Sequence, residues 1–96
     1  MNFNNINKVS TLLKCISHEQ RLKIVCVLID NERTVNELVE DIGISQSQMS
    51  QFLKQLKDID IVDSKKSILN GVANKIYFIK DKKIKNIIKA LKNNYC

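Results

Sequence analysis

Within residues 17–48 the pattern Ser/Thr-x-x-Glu/Gln occurs three times, at Ser17–Gln20, Thr34–Glu37 and Ser45–Gln48. In each, the Ser/Thr hydroxyl can accept from a backbone amide of the first helical turn while the Glu/Gln reaches back to the capping residue's own amide. Three such starts in so short a stretch impose a run of short helices joined by tight turns. Apolar spacing fills them in. A helix over about 4–15 carries Ile6, Val9, Leu12 and Leu13, with Ile16 just beyond it. A second, about 18–30, has Leu22, Val25, Cys26 and Ile29 at i, i+3, i+4 and i+7. A third, about 35–41, presents Val35, Leu38 and Val39 and stops at Gly43, which can adopt the positive φ of a helix end. The fourth follows Ser45, turns Met49, Phe52, Leu53 and Leu56 inward, and fades near Asp58.

The texture changes after Asp58. Residues 59–67 are rich in Ile and Val, and Lys75-Ile76-Tyr77-Phe78-Ile79 is a strand pattern. Asn70-Gly71 between them is the dipeptide best suited to a two-residue hairpin turn. A last helix opens at Asp81, with Ile84, Ile87, Ile88, Leu91 and Tyr95 on one face and lysines around the rest. The expected order is α-α-α-α-β-β-α: a mainly α chain with a small β-hairpin, organised as a winged helix-turn-helix. At 96 residues the chain is expected to form one domain, residues 1–96, with a core modest enough that oligomerisation would help it.

Charge is distributed unevenly. Residues 1–43 carry five bases and six acids, whereas residues 44–96 carry eleven lysines and four aspartates. A basic half joined to a near-neutral one points to a polyanionic partner. Helices three and four make the helix-turn-helix, whose second helix presents its N-terminal residues to base edges in the major groove. With Met49 turned inward, the outward set is Gln46, Ser47, Ser50 and Gln51, followed by Lys54. Gln can pair bidentately with adenine, and Ser can donate or accept. Lys65, Lys66 and Lys75 on the hairpin form a wing that follows the phosphate backbone. The partner expected is double-stranded DNA.

Other functions are disfavoured. No Gly-rich phosphate loop, HExxH or CxxC is present, so no enzyme and no cofactor are expected. No apolar run approaches membrane-spanning length, and MNFNNINKVS lacks the features of a signal peptide. The expected location is cytoplasmic, with no membrane partner and three reduced cysteines. Two alternatives stay open: a zinc site from Cys15, His18, Cys26 and Cys96, and a winged helix that binds protein rather than DNA.

The run Leu13-Lys14-Cys15-Ile16-Ser17-His18-Glu19-Gln20-Arg21-Leu22-Lys23-Ile24 resembles the opening of ArsR/SmtB winged-helix repressors. Thr34-Val35-Asn36-Glu37-Leu38 resembles their S-V-x-E-L, and Ser45 to Leu56 resembles their S-Q-S-A-L-S-Q-H-L-x-x-L helix, with Phe52 in place of the usual His. The resemblance implies a homodimer packed through the first and last helices on a palindromic operator. The family's metal sites lack their ligands here: 34–42 has no Cys or His, and 82–95 has no Asp or His. No metal is therefore expected. Cys26 and Cys96 instead resemble the paired cysteines of the HlyU/BigR/SqrR group, whose dithiol is bridged by oxidants or reactive sulfur. That likeness implies redox sensing by Cys26 and Cys96, with Cys15 an extra buried thiol. A non-thiol inducer is the alternative.

Overall fold

The computed structural model describes residues 3–95. A 3-10 turn (Phe3–Asn5) leads into α1 (Ile6–Ile16) and α2 (Glu19–Asp30). Then come β1 (Arg33–Thr34), α3 (Val35–Ile42), α4 (Gln46–Asp58), β2 (Val62–Leu69), β3 (Val72–Ile79) and α5 (Lys82–Tyr95). This is the mainly helical winged helix-turn-helix expected, with one strand added. Arg33 and Thr34 pair antiparallel with Tyr77 and Ile76, so the sheet has three strands in the order β1-β3-β2. Two residues are too few to show an alternating pattern, and only their partner reveals them as a strand.

Two of the three capping boxes form as the sequence predicts. Thr34 Oγ1 accepts from Glu37 N at 3.2 Å while Glu37 Oε1 accepts from Thr34 N at 3.0 Å. That amide bond is the main reason the Glu37 carboxyl sits below the usual carboxylate range. Ser45 and Gln48 exchange the same pair of bonds at 3.1 and 3.4 Å. The third box does not form. Ser17 has helical torsions and closes α1, its hydroxyl donating to the Lys14 carbonyl at 2.7 Å. His18, in extended conformation, caps α2 instead, with Nδ1 accepting from Gln20 N at 3.2 Å. Only two residues separate α1 from α2. Ser17 cannot both finish one helix in αR geometry and start the next in the extended geometry an N-cap needs.

The core is built around α2, which buries Ile24, Val25, Leu28 and Ile29. These occupy two adjacent stripes, so the helix is covered on a wider arc than the expected Leu22-Val25-Cys26-Ile29 line; Leu22 and Cys26 are half-buried at its edge. Leu38 of α3 and Met49, Leu53 and Leu56 of α4 pack into the same cluster. Gly43 ends α3 at φ +81°, its amide donating to the Val39 carbonyl at 2.8 Å. A side chain there would meet no neighbour but would force an L residue into the left-handed region. The β2–β3 ladder runs from Val62↔Ile79 to Leu69↔Val72, closed by Asn70 and Gly71 at φ +53° and +77°. Positive φ at both turn positions is what a two-residue hairpin matching the strand twist requires.

The apolar face expected on α5 divides into two. Ile84 and Ile88 are buried at 2% and 1% exposure, while Ile87 and Leu91 remain about half exposed at 50% and 45%. Lys92 fastens the far end of α5 to α2, donating to Asp30 Oδ2 at 2.9 Å, and this bond leads the causes that lower the Asp30 pKa. No helix among the described residues is long and apolar enough to cross a membrane.

Candidate nucleic-acid interface

α3 and α4 meet across Gly43-Ile44-Ser45, and Met49, Leu53 and Leu56 anchor α4 to the core along one side. The opposite side is thereby aimed outward. Gln46, Ser47, Ser50, Gln51 and Lys54, the residues singled out from the sequence, are all exposed there. The remaining glutamines of the helix are engaged elsewhere. Gln48 completes the Ser45 cap, and Gln55 Oε1 accepts from Arg21 Nη1 at 2.7 Å. The exposed face is thus short, uncharged at its start and basic at Lys54. No acidic side chain lies between Ile44 and Lys57.

How α4 is held was not legible in the sequence. Arg21 Nε donates to the Cys15 carbonyl at the end of α1 at 2.7 Å, so one guanidinium joins α1, α2 and α4. One turn earlier on α4, Phe52 packs its ring on His18, with centroids 5.0 Å apart. The one local hint is that a cation in the first turn of α2 opposes the helix dipole and so needs another reason to be there. Arg21→Ala removes both bonds. Two hydrogen bonds from a charged donor contribute about 1–3 kcal/mol between them, and a melting temperature lower by roughly 5–15 °C is expected. Gln55→Ala, which removes one, should fall by less. An Arg21→Ala melt identical to the parent's would show that the bridge does not hold α4.

The wing lysines divide by face. Strand register puts Lys66 directly opposite Lys75, on the same side as Ser64 and the buried Tyr77; Lys75 Nζ lies 5.5 Å over the Tyr77 ring. Like charges facing across a ladder repel, and an anion between them relieves that. Lys57, which the sequence reading did not single out, extends this row from α4. Its Nζ donates to Ser64 Oγ at 3.1 Å and lies 3.8 Å from Asp63 Oδ1. Lys65 is on the other face. It crosses Phe78 at 5.5 Å and pairs with Glu32 at 2.7 Å, so it is engaged within the protein rather than grouped with Lys66 and Lys75.

The cysteines fall at the other end of α2. Cys26 lines a cavity of about 280 Å³ with Leu22, Ile88, Leu91, Lys92 and Tyr95, nearly all apolar. Cys96 lies outside the described residues, but its chain neighbour Tyr95 borders the same cavity as Cys26. Cys15 is half-buried at the α1–α2 corner, where burial, partly offset by Arg21, pushes its thiol pKa up. Among the described residues no group of three His, Cys, Asp or Glu side chains is placed to hold a metal. His18, the only imidazole, spends Nδ1 on its cap.

Residues 18–64 match the profile of the bacterial regulatory protein, arsR family. Over 90 residues the chain is 36% identical to the biofilm growth-associated repressor of Xylella fastidiosa (strain Temecula1), covering 94% of this chain and 75% of that protein. It is 35% identical over 92 residues to the transcriptional activator HlyU of Vibrio cholerae, covering 96% and 82%. The solved structure of reduced HlyU from V. cholerae superposes with a TM-score of 0.87 at 34% identity, over 97% of this chain and 94% of that one.

Proposed function

The chain belongs to the arsR family of bacterial regulatory proteins and is a winged-helix transcriptional regulator; from that premise we propose that it is a homodimeric repressor released from a palindromic operator when Cys26 and Cys96 are linked. The sensing part is supported by an apolar cavity lined by both Cys26 on α2 and Tyr95, the chain neighbour of Cys96. The DNA-reading part rests on the exposed Gln46, Ser47, Ser50, Gln51 and Lys54 of α4, with Lys66 and Lys75 as phosphate contacts and Lys65 a lesser one. The dimer is proposed to form through the outward apolar residues of α1 and α5.

The chemistry is a two-electron oxidation. With a peroxide, the two thiols give up two electrons and two protons, an S–S bond forms, and the peroxide leaves as two waters. A polysulfide would instead act as the oxidant through its sulfane sulfur, leaving one or more sulfur atoms between the two while the rest departs as hydrogen sulfide, which carries off the electrons and the thiol protons. Either bridge would tie the end of α5 to α2 next to the cavity that Leu91 and Lys92 line with Cys26, Lys92 being the residue that bonds Asp30. A shift in how α5 docks therefore changes the spacing of the two reading helices in a dimer. A difference of about 1.4 kcal/mol between the linked and unlinked states is enough to change operator affinity tenfold.

Counting free thiols and measuring operator affinity on one sample, before and after peroxide or polysulfide, tests this directly. Two thiols per chain should disappear as DNA is released. Cys26→Ser and Cys96→Ser should each bind DNA and fail to respond, while Cys15→Ser should still respond. A dominant bridge containing Cys15, or a normal response from Cys96→Ser, would reassign the sensor.

A further inference from the structure

Met49, Leu53 and Leu56 seat α4 on the core as a single row along the helix. Apolar contacts are non-directional, so one row of them resists separation well and rolling about its own line poorly. Helical residues follow one another at about 100°. Phe52 and Gln55 therefore stand about a quarter-turn to one side of that row and Lys57 about a quarter-turn to the other, with Ser47, Gln51 and Lys54 opposite it. Both flanks are tied. On the first, Arg21 Nη1 donates to Gln55 Oε1 at 2.7 Å and the His18 ring packs on Phe52 with centroids 5.0 Å apart. On the second, Lys57 Nζ donates to Ser64 Oγ at 3.1 Å and lies 3.8 Å from Asp63 Oδ1. From these opposed braces we infer that Arg21, acting through Gln55, and Ser64, acting through Lys57, are positioning residues that fix the roll of α4 and so select the bases it reads without touching DNA. The inference rests on the DNA-binding reading and adds to it a set of residues that govern specificity from behind the reading face.

Leverage is the first argument. Side-chain ends lie about 5–6 Å from a helix axis, so a roll of about 10° moves them by about 1 Å. Hydrogen bonds hold over a window of about 0.5 Å in heavy-atom distance, and a bidentate contact must keep two bonds at once. A roll of that size is enough to exchange one base-edge pairing for another. Lysine contacts to phosphate, made by a point charge on a flexible stem, tolerate the same displacement. Roll therefore acts on specificity far more than on non-specific affinity.

Anchorage is the second. Arg21 also donates through Nε to the Cys15 carbonyl at 2.7 Å, so its guanidinium is itself held at the end of α1. A planar fork can serve both acceptors in one fixed geometry, which a lysine ammonium does not reproduce. Ser64 sits on β2 in register opposite the buried Tyr77. The two braces thus start from different parts of the fold, the α1–α2 corner and the wing, and meet on opposite flanks of one helix. Gln55 and Lys57 are themselves exposed and add little to the core, so what their bonds contribute is orientation.

The test uses the full chain and duplexes that it enriches from a randomised pool, titrated well below each variant's melting temperature so that every chain is folded. Gln55→Ala and Ser64→Ala each cut one brace and change no residue assigned to DNA contact. Each should lose about fivefold or more in the ratio of specific to non-specific affinity, with non-specific affinity and salt slope unchanged. In re-selection each should return an altered base preference. The two should differ from one another, because the rolls they release are opposite, and the double variant should return a broader preference than either. Conservative variants should restore the parent's preference: Gln55→Glu keeps an acceptor for Arg21 while its charge weakens all duplexes alike, and Ser64→Thr keeps the hydroxyl. A purely structural role would lower the melt and leave the re-selected preference as it was. A variant that re-selects the parent's preference at the parent's ratio overturns the brace it cuts, and both doing so overturns the inference alone. Failure of the parent protein to enrich any duplex overturns the DNA-binding reading and the inference with it.

Discussion

Exchanging Ser47 and Gln51 for alanine is expected to weaken sequence preference sharply while leaving non-specific DNA binding nearly intact. Both side chains are exposed on the outward face of α4, on the turns that Met49 and Leu53 anchor from behind. A bidentate Gln–adenine contact supplies about 1–3 kcal/mol of discrimination. Used once in each half-site, and with the Ser contact added, the loss should reach about 10²-fold or more in the ratio of specific to non-specific affinity. Non-specific binding is set by phosphates and should change little. Lys66→Ala with Lys75→Ala should behave in the opposite way, weakening all duplexes together and lowering the salt slope by about 0.9 for each phosphate contact removed. Lys65→Ala should have the smallest effect of the wing lysines, because its ammonium is already paired with Glu32. Titrations of an enriched and a scrambled duplex at several salt concentrations separate these outcomes. Unchanged discrimination in the Ser47, Gln51 variant would move base reading off α4.

Two neighbouring residues on α5 should respond to glutamate in different ways. Ile88 is 1% exposed and packs into the α2-centred core. A carboxylate there is buried with no partner, a cost upwards of about 4 kcal/mol, which approaches the whole stability of a domain this size. Ile88→Glu should therefore give no cooperative melt. Ile87→Glu with Leu91→Glu changes side chains that already half face water, so the fold and its helicity should survive. What should be lost is the dimer. Phe3, Ile6 and Leu13 at the start of the chain are likewise exposed, and a second copy is the covering proposed for all of them. A monomer forfeits the effective concentration that joins two half-sites, so operator affinity should fall about 10²-fold or more. Light scattering showing an unchanged dimer mass in the Ile87, Leu91 variant would place the interface elsewhere.

The sequence alone suffices wherever the deciding interaction lies within a few residues. The Thr34 and Ser45 caps link i to i+3, Gly43 and Asn70-Gly71 supply torsions few other residues tolerate, and Met49, Leu53 and Leu56 mark the buried side of α4 by their spacing. Those local rules placed α3, α4 and the hairpin, and through them the exposed Gln46, Ser47, Ser50, Gln51 and Lys54. Tertiary structure decided each matter in which residues far apart compete for one position. Ser17 and His18 both qualify as the α2 cap, and the two-residue corner with α1 selects His18. Ile87 and Ile88 fit the same apolar face, and only the docking angle of α5 on α2 separates core from surface. Lys65 and Lys66 read alike as wing cations until strand register sends one to Glu32 and the other beside Lys75. The Arg21–Gln55 bond spans 34 positions, and β1 exists only because β3 lies beside it. Local chemistry carries its partner within the same few letters; long-range partnership is chosen by packing, and no short stretch of the chain contains that choice.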